Sequence, residues 1–297
     1  MLWLILTVYV IIAITILYPL IRRSYFAPSL VLGNVAIFVL IFVLSLLQPD
    51  YASQLALTRT VLGELAFTPS DLQALRFHTI ISSMFLHLGL SHIISNVVIL
   101  YLLGLPLEER VGGPVFGAIY LSTGAAATVI YGLVQWGSPI VALGASGAIM
   151  GIAGTLLVLY PRDRIFMLLV IIIMPRVPVY LAVGVVAAWQ FVLLFFRVPG
   201  IAVEAHLAGI GVGILLGPLI RGFMGQEKAL EPVDLDDLAT TEELKHLLEV
   251  IRGESVAEVR EAWVDHFLGK ARCPRCHGPM RKEGRDAVSD CGWRKRL

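Results

Sequence analysis

Long apolar runs separated by short polar breaks dominate the first three-quarters of the chain. About 20 apolar residues are enough to cross a hydrocarbon core about 30 Å thick. Seven segments meet or approach that length: 1–20, 29–47, 90–105, 114–136, 144–160, 178–196 and 203–222. The third is short, although the stretch before it, Ile80 to Leu90, is also largely apolar. Residues 165–174 are too few to span, and Pro175 and Pro178 follow them, so they read as a re-entrant or interfacial segment. The first run lacks a basic stretch before it and an Ala-x-Ala cleavage pattern, and reads as a retained span rather than a cleaved signal.

Past residue 225 the pattern changes. Asp234 to Asp237 read as an acidic linker, and Thr240 and Thr241 before Glu242-Glu243 offer a helix start. Leu244, Leu247, Leu248 and Ile251 then follow a helical period. A second helix is expected over 254–268, with Val256, Val259, Trp263 and Phe267 on one side.

Composition sharpens this reading. Hydrophobic residues make up 57% of the chain and charged residues 15%, against roughly 25% charged in soluble domains. Only seven of the 22 acids and ten of the 23 Lys/Arg lie in 1–225, so the charge is concentrated in the tail. An ordinary soluble domain is excluded; the expectation is an all-α polytopic membrane protein with a small soluble C-terminal domain. With the first end outside, Arg22, Arg23, Arg110, Arg162, Arg164, Arg176 and Arg221 fall inside and only Arg59, Arg76 and Arg197 outside. That bias predicts an external N-terminus and a cytosolic tail. The connection 48–89 and the starts of the spans 144–160 and 203–222 then lie on the outer side.

Two of these spans carry chemistry. Ser146 stands in Gly144-Ala145-Ser146-Gly147 and His206 in Ala205-His206-Leu207-Ala208-Gly209. Serine becomes a nucleophile when a neighbouring base takes its proton, and histidine is the usual base. A lone serine in a membrane helix is more often a packing residue, but an intramembrane histidine is costly to desolvate and points to function. Gly147-x-x-x-Gly151 and Gly209, Gly213 and Gly217 at four-residue spacing predict that these two helices pack closely. Ser146 also falls at an expected helix N-terminus, where unsatisfied N–H groups would stabilise an oxyanion. His92 and Asn96 share one face of a third helix and are suitable oxyanion donors; alone they read equally as a polar seam between helices. Glu204 faces almost the opposite side from His206, so a Ser–His dyad is expected rather than a triad.

The pattern His87-x4-His92-x3-Asn96, Leu107-Glu108-Glu109-Arg110-Val111-Gly112, Gly144-Ala145-Ser146-Gly147 and Ala205-His206-x2-Gly209-x3-Gly213 resembles the rhomboid family of intramembrane serine proteases, over roughly residues 29–222. The resemblance implies a six-helix core in which Ser146 is the nucleophile and His206 the base. It implies an oxyanion hole of His92, Asn96 and the Ser146 N–H, with Gly144 allowing close approach and His87 supporting the site. Glu108 and Arg110 resemble a structural Glu-x-Arg element at the inner face, and 178–196 with Val198-Pro199-Gly200 resembles a movable gate. Leu75-Arg76 departs from the Trp-Arg common in the family, and the span 1–20 is an addition to the core. The implied activity is endoproteolysis of single-pass membrane proteins near the outer face, through an acyl-enzyme, with the lipid bilayer as the other partner and no nucleic acid. The rival reading is a non-catalytic rhomboid-like protein that binds and escorts membrane clients. A transporter fits less well, since no internal repeat is visible.

The tail ends in Cys273-Pro-Arg-Cys276-His277 and Asp290-Cys291-Gly292-Trp293, which resemble the two knuckles of a zinc ribbon. Another cysteine near Val288 is missing, and His277 or Asp290 would have to complete a structural zinc site built on Cys273, Cys276 and Cys291. Free reduced thiols are the alternative, and no cofactor is expected for catalysis. The expected organisation is an extra N-terminal helix and connector (1–28), the six-helix core (29–225), an acidic and helical segment (226–269) and a zinc-ribbon-like end (270–297).

Overall fold

The computed structural model describes residues 2–169, 172–223, 233–254, 257–284 and 286–297. The chain divides into two compact units, Met1–Met224 and Gly225–Leu297.

The first unit is helical. Helices α1 (Leu2–Arg22), α2 (Phe26–Leu46), α6 (Leu90–Val111), α7 (Gly113–Val134) and α10 (Val203–Phe223) are long and apolar enough to cross a membrane. Helices α8 (Ser146–Leu159) and α9 (Val179–Phe195) are apolar but shorter. The protein is an integral, multi-pass membrane protein. The long connection before α6 is not featureless. It folds into α3 (Tyr51–Leu65), where Asp50 caps the first turn by accepting from Ser53 N, and the short helices α4 (Ser70–Gln73) and α5 (His78–Ser82). Arg76 pins this connection by donating to Gly63 O at 2.6 Å and pairing with Asp71 at 3.4 Å.

Each boundary has a local cause. α6 runs six residues past the apolar run, because Glu108 is not solvated there. Its carboxylate accepts from Phe26 N (2.5 Å) and Ala27 N (2.7 Å), satisfying orphan donors at the start of α2. Arg110 pairs with Asp163 and lies over the Tyr160 ring at 4.4 Å. The extra helix α1 packs chiefly against α2 and buries the stripe Leu4, Val8, Ile12, Thr15 and Pro19. Ser29 donates to Thr15 O at 2.8 Å, and Gly33 leaves the room that the Thr15 side chain fills. After Pro161, β1 (Arg164–Leu169) pairs antiparallel with β2 (Ile172–Pro178), with Ile165 opposite Val177. The run 165–174 is too short to cross the bilayer, and its described residues pair as strands instead.

The central arrangement is α8 against α10 and α7. With 14 residues, α8 is only about 21 Å long, and an irregular segment from Gln135 to Ala145 precedes it. Phe67 and Ala142 exchange backbone hydrogen bonds at 3.1 and 2.8 Å, so the segment is paired with protein rather than left open. The glycine expectation is met. A side chain on Gly209 would collide with Gly147 O, one on Gly213 with Gly151 O, and one on Gly154 with Ile210 O. The two backbones touch through glycine on both sides.

In the second unit, α11 (Glu242–Gly253) is capped by Thr241 accepting from Leu244 N at 3.2 Å, and buries Leu244, Leu247, Leu248 and Ile251 as the periodicity predicts. α12 (Ala257–Lys270) corrects the expectation: it buries Arg260, Val264, Phe267 and Leu268, leaves Val259 exposed and Trp263 half-buried; Val256 lies outside the described residues. Apolar residues surround that helix, so periodicity alone could not choose its face. The acidic stretch is not a free linker either. Leu235 and Leu238 are buried in the same core as α11, α12 and Met280 and Ala287 of the terminal sheet, while Asp234 and Asp237 pair with Lys295. That sheet is antiparallel, ordered β3 (Met280–Glu283), β4 (Asp286–Ser289), β5 (Arg294–Arg296). Helices and sheet share one core.

Candidate active site

The site is built from the N-terminus of α8 outward. Gly144 adopts φ +117°, a conformation L side chains avoid. Its N–H donates to Ser83 O at 2.9 Å, and the Ala145 N–H points to His87 Nε2 at 3.4 Å. These contacts, from the segment preceding α6, set the turn from which Ser146 starts its helix. Any side chain at Gly144 would also strike the His92 ring, 2.7 Å from Nε2. The His92 imidazole therefore closes over the backbone immediately before the serine. His87 is buried and stacks edge-on against His92, with centroids 4.9 Å apart.

Ser146 Oγ lies 2.8 Å from His206 Nε2. The two side chains come from α8 and α10 and are 60 residues apart in sequence, and the contact is a normal hydrogen bond for nucleophile and base. Glycine packing lets them meet: Gly147 and Gly209, one and three residues away, are where the helix backbones approach. Asn96 is buried on α6 and donates through Nδ2 to His92 O at 2.8 Å, while its Oδ1 has no partner. Ser146, His206, His92 and Asn96 line one cavity of about 1240 Å³, ample for an extended stretch of peptide. Glu204 sits at its edge, bonded by Gln135 Nε2 at 2.9 Å, and is not turned to His206.

One polar residue of this site is not singled out by the sequence reading. Gln190 of α9 is 5% exposed and places Oε1 3.0 Å from His206 Nδ1. It is the only amide or charged side chain in a 17-residue apolar helix. That isolation is the signal by which it could have been found, because a polar group in a span needs a reason.

In the other unit, Cys273, Cys276 and Cys291 bring their sulfurs within 4.8 Å of one another, with Cys273 and Cys291 at 3.6 Å. His277 does not join them. It takes φ +57° and donates its N–H to Cys273 O at 2.9 Å, closing the knuckle turn with its backbone while the side chain is exposed. Asp290 instead pairs with Arg281. The group beside the sulfurs is Ser289, buried, with Oγ 3.4 Å from Cys276 Sγ. Burial pushes the Cys273 thiol up, but hydrogen bonds from the Cys276 and Arg275 backbone and from Ser289 and Cys291 outweigh it and hold it at about 6.

Comparison with known proteins agrees with the geometry. The profile of the rhomboid domain matches residues 74–223, half of the chain. The chain is similar to three Arabidopsis thaliana proteins. These are RHOMBOID-like protein 1 (24% identical over 220 residues, 65% of this chain and 52% of the relative), RHOMBOID-like protein 5 (33% over 78 residues, 26% and 25%), and RHOMBOID-like protein 6, mitochondrial (26% over 159 residues, 45% and 51%). It spans about half the length, or less, of these curated relatives. With His87, His92, Asn96, Ser146 and His206 all inside the matched stretch, the chain belongs to the rhomboid family.

Proposed function

We propose that the protein is an intramembrane serine endopeptidase that cleaves membrane-protein segments near the outer face. The observation that carries this reading is the 2.8 Å hydrogen bond between Ser146 Oγ and His206 Nε2 inside a large cavity among membrane helices. Ser146 Oγ attacks the scissile carbonyl carbon as its proton passes to His206 Nε2. The oxyanion is met by the Ser146 N–H at the α8 N-terminus, by His92 and by Asn96. Collapse breaks the C–N bond, His206 returns the proton to the leaving amine, and an ester remains on Ser146. Water, deprotonated by His206, then attacks that ester and releases the acid.

The substrate class follows from helix chemistry. An intact transmembrane helix hides its carbonyls in hydrogen bonds, so a single-pass protein whose helix is weakened by Gly or Pro near the outer interface fits best. The arginine bias of the loops supports an external N-terminus and a cytosolic tail. The reading is tested by exposing the purified protein to a fluorophosphonate and mapping the adduct. A single adduct on Ser146, absent from Ser146→Ala, is expected; equal labelling of both proteins rejects the mechanism and leaves the client-binding alternative.

For the tail, we infer a structural zinc site on Cys273, Cys276 and Cys291. Zn–S bonds of about 2.3 Å in a tetrahedron put sulfurs about 3.8 Å apart, close to the 3.6 Å between Cys273 and Cys291. Three thiolates would hold the metal, with the Ser289 hydroxyl or water beside the fourth position, and the ion would brace the two knuckles without a part in catalysis. About one zinc per chain is expected in the purified protein, lost together with tail stability in Cys273→Ser. A zinc content near zero in wild type overturns the assignment.

A further inference from the structure

We propose that Gln190 is a positioning residue of the dyad, setting the tautomer and ring plane of His206 through its side-chain carbonyl. The inference rests on the reading of Ser146 and His206 as nucleophile and base.

The argument is one of proton inventory. A neutral imidazole carries one N–H. For His206 to accept the Ser146 proton, Nε2 must present its lone pair across the 2.8 Å contact, so the hydrogen sits on Nδ1. An N–H turned into the protein needs an acceptor, and Gln190 Oε1 stands 3.0 Å away. Glu204, the nearest carboxylate in sequence, is engaged by Gln135 instead. The orientation of the amide decides the outcome. With its NH₂ turned toward Nδ1, the ring proton would move to Nε2, and His206 would point a donor at a serine it must deprotonate. The orientation with Oε1 inward is thus the one compatible with catalysis.

The same bond favours the transition state. Once His206 holds two protons, Nδ1–H···Oε1 becomes a charge-assisted hydrogen bond, stronger than in the resting state. An amide cannot take the proton, so Gln190 orients without relaying. An amide in this role is chemically sound, since asparagine serves it in Cys–His–Asn proteases. The placement is also hard to explain as packing. Trp189 and Phe191 on either side are exposed, and Gln190 alone among the three is buried. Burying an amide among apolar helices is costly unless a partner requires it.

The test compares Gln190→Met, which keeps length without the acceptor, and Gln190→Glu, which keeps an acceptor oxygen, in the whole 297-residue chain in detergent. The readout is saturation labelling of Ser146 by a fluorophosphonate, resolving kinact from KI, with thermal unfolding in parallel. Gln190→Met is expected to lower kinact about 10- to 100-fold with KI changed less than about twofold. Gln190→Glu should recover at least about tenfold of that loss. Equal kinact in wild type and Gln190→Met overturns the proposal, as does a loss that Gln190→Glu fails to restore. Should neither variant fold, ¹⁵N-histidine NMR of wild type, assigned with His206→Ala, decides: Nδ1–H as the major His206 tautomer supports the role, and Nε2–H overturns it. If wild type itself does not label on Ser146, the peptidase reading fails first, which distinguishes the two failures.

Discussion

Replacing His206 with alanine is expected to slow fluorophosphonate labelling of Ser146, and cleavage of a helix-destabilised single-span test peptide, by about 10³-fold or more. Two losses combine. The base that takes the Oγ proton disappears, and the remaining hydroxyl is a weak nucleophile near neutral pH. His206 is half-buried and hydrogen-bonded on both ring nitrogens, so its removal also leaves Gln190 Oε1 without that partner. The groups proposed to meet the oxyanion stay in place, because His92, Asn96 and the Ser146 N–H belong to α6 and α8 rather than to α10. Residual turnover above the uncatalysed rate is therefore expected in His206→Ala. Ser146→Ala should show no covalent adduct at all. His206→Ala cleaving at more than a tenth of the wild-type rate would remove the histidine from the mechanism.

The second large effect concerns packing. Gly213→Val is expected to lower stability by about 3 kcal/mol or more and to cut labelling over 100-fold. A Cβ at Gly213 lands on Gly151 O, and stands 2.9 Å from both Gly151 C and Thr155 N. All are backbone atoms of α8, which cannot turn aside as a flexible side chain would. Relief requires α10 to withdraw by on the order of 1 Å, which stretches a 2.8 Å hydrogen bond beyond useful range. Gly211 provides the control, since nothing lies within 4 Å of a Cβ there, and Gly211→Ala should be close to neutral. Wild-type thermal stability and labelling in Gly213→Val would mean that the close approach of α8 and α10 is not what assembles the site.

Much of this arrangement is legible in the linear chain, for specific reasons. The membrane helices show because the bilayer demands length and apolarity together, and α1, α2, α7 and α10 follow the apolar runs to within a few residues. His206 shows because an ionisable ring is unusual in a span, the glycines because they recur at four-residue spacing, and Ser146 because it stands between two glycines at an expected helix start. Other features are hidden. The paired strands Arg164–Leu169 and Ile172–Pro178 and the helix Tyr51–Leu65 lie in stretches where neither apolar length nor a clear period chooses a conformation. The apolar face of α12 is ambiguous for the same reason. His277 looks like a ligand because it follows a knuckle, yet its backbone is needed in a left-handed turn and its ring is left outside the sulfur cluster.

By itself, then, the amino-acid order determines which segments enter the membrane, which residues carry reactive groups, and that two glycine-faced helices must meet. These are local properties, set by transfer from water to lipid and by backbone geometry. Tertiary structure alone decides that Glu108 closes the start of α2, that Ser289 rather than His277 stands by the cysteines, and that Gln190 faces His206. Each is a hydrogen bond or close contact between groups distant in sequence. Its existence depends on how far one element is rotated against another, and no periodicity records that angle.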